Sequence, residues 1–101
     1  MKINLVIFVS SITSQQGHVM MKTFESHFRP VKGDIIDDPG FHPDFHNGYE
    51  VVNVTVNYAA NECIVSLKPL VLDKEEITLE TYLEHLKANG WREVTKDEVK
   101  S

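Results

Sequence analysis

The sequence predicts an α+β domain, a small twisted antiparallel sheet of five to six strands with one helix over residues 78–89 packed across it. Three observations predict it. Residues Tyr49–Tyr58 and then Cys63–Leu67 alternate apolar with polar side chains around a short polar break. Ile3–Val9 is an almost unbroken apolar run. Leu79, Tyr82, Leu83 and Leu86 recur at spacings of three and four, which places them on one stripe of a helix that must be covered. A chain of 101 residues, 42% apolar and 25% charged, fits a single domain spanning 1–101.

Taken in order, Ile3, Leu5, Ile7 and Val9 share one parity and Val6 and Phe8 the other, as in a largely buried strand over 3–12. Thr13–Gly17 joins it to a second strand over 18–28, where Met20, Phe24 and Phe28 alternate with Thr23, Glu25 and His27. Their spacing of four leaves a helix as the competing reading. Pro30 and Gly33 punctuate the approach to a brief strand at 34–37. In Asp38-Pro39-Gly40 the proline fixes the first central angle of a turn and the glycine supplies a positive one. The breakers Pro39, Gly40, Pro43, Asn47 and Gly48 then mark a loop up to Tyr49.

Strands 49–58 and 62–70 form a hairpin closed by Ala59–Glu62. Thr78 caps the helix, Glu80 lies in its first turn, and Gly90 follows its last residue. Trp91–Val94 reads as a short returning strand before a polar tail from about residue 95. The expected core is Leu5, Ile7, Phe24, Val52, Val54, Val56, Val65, Leu67, Leu79, Leu83, Leu86 and Trp91.

The net charge of −5 conceals an asymmetry. Residues 1–32 carry four basic side chains and one acid, whereas 33–62 carry six acids and no Lys or Arg. An acidic domain gains nothing from counterion release on nucleic acid or from anionic lipid, so neither is expected as a partner. The N-terminal run has no cleavage site of small residues, no stretch is long enough to span a bilayer as a helix, and Cys63 is the single cysteine; together these predict a soluble protein in a reducing, cytoplasmic setting.

Candidate chemistry concentrates in the acidic third. His42, Asp44 and His46, two residues apart, project to one side of an extended chain, and imidazole with carboxylate suits Zn, Mn or Fe(II); a divalent metal is therefore the one candidate cofactor. The spacing matches neither the helical His-Glu-x-x-His pair nor a calcium loop. Asp37 and Asp38 are explained by turn chemistry, and so small a domain has little volume for an enclosed pair of catalytic carboxylates. No phosphate loop, nucleophile elbow or dinucleotide fingerprint is present in the sequence, and Cys63 has no sequence-local base.

Pro30-Val31-Lys32-Gly33-Asp34-Ile35-Ile36, followed by Tyr49-Glu50-Val51-Val52-Asn53-Val54, resembles the opening of small SH3-like barrel modules, a pattern shared by small bacterial and phage β-proteins. The resemblance covers about a quarter of the chain. It implies a partial barrel and carries over no functional residue.

The expected function is a non-enzymatic protein-binding or adaptor module that uses Asp37, Asp38, Phe41, Phe45 and Tyr49 as an acid-rimmed aromatic surface. A metal-binding protein or small metal-dependent enzyme using His42, Asp44 and His46 is the alternative. The hairpin of 49–70 also offers an edge strand through which copies of the chain can associate.

Overall fold

The computed structural model describes residues 1–12, 14–41, 48–72 and 78–95. Its elements are β1 (Lys2–Ser11), β2 (Ser14–Glu25), β3 (Ile35–Ile36), β4 (Tyr49–Asn57), β5 (Glu62–Leu67), β6 (Leu70–Leu72), α1 (Leu79–Ala88) and β7 (Arg92–Val94). The strands form one curled half-barrel sheet in the order β3-β4-β5-β1-β2-β7, with β6 paired to β1.

The apolar run at the N-terminus becomes the centre of this sheet. β1 pairs antiparallel with β2 along its length, and parallel with β5 through Lys2–Val6 and with β6 through Val9–Ser11. Ile3, Leu5, Ile7 and Val9 are buried on the inner face with Met20, Cys63, Val65 and Leu67. On the outer face Val6 packs with Met21 and Val94 in a second, smaller cluster, so β1 is apolar on both sides. The two parallel pairings correct the expectation of an antiparallel sheet. A parallel neighbour requires a long connection, and β2, β3 and β4 together provide it between β1 and β5.

The expected strand over 62–70 is divided. At Lys68 the backbone N–H donates to the Glu50 carbonyl, and Pro69 has no N–H to offer. After this break β6 resumes beside the upper half of β1.

In β4 the alternation is present but its parity inverts. Val51 faces Leu67 whereas Asn53 faces Ser66, so the partner strand advances one residue while β4 advances two, a β-bulge at Val52. Tyr49 and Val51 therefore point inward before the bulge, and Val54 and Val56 after it. Val51 is fully buried while Val52 is 39% exposed, which replaces one by the other in the core. Phe24, also expected inside, is as exposed as Val52, because it stands opposite Ile3 three residues beyond the last β2 position that β7 covers.

The helix follows its sequence signals. The Thr78 hydroxyl accepts from the Thr81 N–H at 3.1 Å, and Gly90 takes a left-handed φ of +92° as the Trp91 N–H returns to the Leu86 carbonyl. Tyr82, Leu83 and Leu86 are buried against the sheet and Leu79 half-buried at the margin. No helix among the described residues is long and apolar enough to cross a membrane.

Replacing Leu83 by Ala is expected to cost about 2–5 kcal/mol. Val52→Thr should stay within about 0.5 kcal/mol, although sequence parity alone ranks Val52 as core. Urea unfolding midpoints of the two variants check both placements.

Candidate functional site

The turn that opens the acidic third is anchored to the rest of the fold at Asp38. As the turn chemistry of the sequence predicts, the Asp37 carboxylate accepts from the Asp38 N–H, the Asp38 carboxylate accepts from the Gly40 N–H at 2.8 Å, and the Phe41 N–H closes on the Asp38 carbonyl. Asp38 then makes two further contacts across the fold. Its Oδ1 accepts from Trp91 Nε1 at 2.9 Å, and its Oδ2 pairs with Lys22 Nζ at 2.8 Å. One nearly buried carboxylate thus ties the turn to β2 and to the end of α1.

The glycine of this turn has a different purpose from the expected one. Gly40 is not among the residues with positive φ; a Cβ there would lie 2.8 Å from Trp91 Nε1, so the position is kept small to let the indole approach. Gly48, by contrast, takes a φ of +119°, where a side chain would also strike the Ile36 carbonyl at 2.7 Å.

Phe41 and Tyr49, expected at a partner-facing surface, are 5% and 8% exposed. Their rings meet edge to face at 4.6 Å between centroids, and Phe41 also packs on Trp91 at 5.6 Å. Both rings belong to the hydrophobic core. They hold the two ends of the segment between them against the core. Phe45, His42, Asp44 and His46 lie outside the described residues. Among the described residues no three His, Cys, Asp or Glu side chains gather to hold a metal ion.

Behind Phe41 the Tyr49 and Tyr82 hydroxyls are 3.0 Å apart in the core. Burial, together with the bond to Tyr82, pushes the Tyr49 hydroxyl above the ordinary tyrosine range, so it stays neutral. At the far end of the β4–β5 hairpin a cleft of about 410 Å³ is bordered by Val56, Tyr58, Glu62 and Cys63. Burial pushes the Cys63 thiol up as well, only partly opposed by Arg29 and the N-terminal amine, which keeps it protonated and a poor nucleophile.

Among the described residues of the acidic third, one accessible patch lies on β3 and the first half of β4. Ile35, 62% exposed, pairs with exposed Glu50, and exposed Val31 and Val52 lie nearby with Asp34 and Asp37. Asp34 shapes this patch by accepting from the Val31 N–H, while the Gly33 N–H donates to the Val51 carbonyl and the Val51 N–H to the Asp34 carbonyl. Sequence reasoning found the acids but missed Lys22 and Trp91 as the partners of Asp38 and Tyr82 as the partner of Tyr49; Lys22 and Trp91 are 16 and 53 positions from Asp38, with no local signal linking them.

The fold and this site define a small half-barrel domain with a clamped acidic turn and an exposed aliphatic patch. No protein-family model matches the chain, and comparison with curated proteins and with solved structures gives no match.

Asp38→Ala should lower stability by about 2–4 kcal/mol by stranding Lys22 and the indole N–H, with a shift in Trp91 emission. Asp38→Asn, which keeps an oxygen for Gly40 and Trp91, should lose less. For Tyr49 the folded-state value lies above the unfolded one, so its contribution is complete below about pH 10 and declines as pH rises above that, where the unfolded chain ionises first. Tyr49→Phe should flatten the fall in stability between about pH 9.5 and 11 in denaturant titrations.

Proposed function

We propose that the chain is a non-enzymatic binding module that takes a protein segment bearing basic and aliphatic side chains on the patch of β3 and β4. One observation carries this reading: Ile35 and Val52 stand exposed beside the carboxylates of Asp34, Asp37 and Glu50, in a third of the chain that has no Lys or Arg, and exposed Val31 adjoins them just before Lys32. Exposed aliphatic groups rimmed by one sign of charge suit a partner that supplies apolar contact at the centre and the opposite charge at the rim. Asp38 is already paired with Lys22 and contributes little to that rim.

The clamp beneath supports the same reading. Phe41, Tyr49 and Trp91 fix the turn to the core, so the patch is presented on a rigid base and loses little entropy on binding. A buried, mutually hydrogen-bonded tyrosine pair and a saturated carboxylate suit a structural support better than a reaction centre. A cytoplasmic setting, in which the one buried thiol needs no disulfide partner, fits this reading.

Selection of peptides from a random display library on the immobilised chain tests it. Peptides combining Lys or Arg with aliphatic residues should be enriched. The double variant Asp37→Asn/Glu50→Gln should weaken the selected peptides by about threefold to tenfold, with a shallower salt dependence. Enrichment of acidic peptides, or binding indifferent to both this variant and Ile35→Ser/Val52→Ser, would overturn the assignment.

A further inference from the structure

Beyond the acidic patch, β4 itself carries an open edge. β3 pairs only with Tyr49 and Glu50, and the Gly33–Asp34 turn closes the edge at Val51. From Val52 to Asn57, where the hairpin turn begins, no strand lies along the outer side of β4 among the described residues. Open edges are ordinarily blunted by brevity, charge or proline. The other outer strands follow that rule: β3 is two residues long between Asp34 and Asp37, and β7 is three residues long with Arg92 and Glu93. The stretch Val51-Val52-Asn53-Val54-Thr55-Val56-Asn57 has no charge, no proline and no glycine, and four of its residues are valine.

We propose that this edge pairs antiparallel with the same edge of a second copy, about a two-fold axis at Thr55. The bulge-free stretch 53–57 is self-complementary about that residue. Thr55 faces Thr55, Val54 faces Val56, and Asn53 faces Asn57 of the other copy, so like faces like on each side of the joined sheet. Val54 and Val56, half-buried at the margin of the core, extend the inner apolar layer from one copy into the next, while the exposed Asn and Thr side chains pair on the outside.

Charge favours a second copy over a basic partner at this edge. The two Glu50 side chains lie ten strand positions apart, about 34 Å, several Debye lengths at physiological salt. Glu62, beside Asn57, is already paired with Lys2. A basic segment would find no carboxylate between Val51 and Asn57 to meet it. The edge is short, so the association is a weak, concentration-dependent dimer.

Sedimentation equilibrium of the full chain from about 10 µM to 1 mM should show the mean mass rising from one chain toward two. Thr55→Lys and Thr55→Glu, each setting like charges opposite one another, should weaken the dimer by about tenfold or more, and an equimolar mixture of the two should restore it. Asp37→Asn/Glu50→Gln should leave the dimer unchanged, which separates this interface from the acidic patch. Thr55 is exposed, so both variants should keep the parent circular dichroism. A chain that is monomeric throughout, a dimer that neither Thr55 variant weakens, or one that the mixture fails to restore would each overturn the proposal.

Discussion

The double pairing of β1 is the constraint on which the rest of the structure depends. One side of this strand is occupied by β2 and the other is shared by β5 below and β6 above, so the N-terminal hairpin joins the β4–β5 hairpin through it. A strand so placed must be apolar on both faces and pair along both edges, which is what the run from Ile3 to Val9 supplies. Its one buried polar side chain, Asn4, is fully used: it donates to the Cys63 carbonyl and accepts from the Thr23 hydroxyl, bonding the strands on either side of β1 to each other.

From that centre the turn at Asp38 is held by a single carboxylate. Asp38 closes its own turn, receives the Trp91 indole and neutralises Lys22, and each bond is short enough to fix the turn against the core. The aromatic contact of Phe41 with Tyr49 and Trp91 completes the clamp. Burying these groups leaves an aliphatic and acidic surface outside, and the proposed recognition of a basic partner rests on what the clamp leaves exposed.

The bulge at Val52 links the fold to both proposed surfaces. By inverting the parity of β4 it lets Val54 and Val56 face the core after Val51 while Val52 stays exposed between them, and it begins the regular stretch whose outer edge is open. A strictly alternating strand could not turn Tyr49 and Val51 inward together with Val54 and Val56.

How much of this was legible in the sequence depended on the range of the interaction concerned. The N-terminal hairpin, the 49–67 hairpin, the Asp38 turn and the capped helix are set by residues a few positions apart, whose periodicity and turn chemistry act locally. The inner residues of β1 and β5 and the buried stripe of α1 follow from the same patterns. Tertiary structure alone decided the parallel pairing of β1 with β5 and β6, the inward turn of Phe41 and Tyr49, and the meeting of Asp38 with Lys22 and Trp91. A bulge shifts a strand by one residue without altering its composition, and a carboxylate bonds whichever distant donor the packed chain brings to it. Neither leaves a periodic trace in the sequence, because both result from the closing of the sheet around β1.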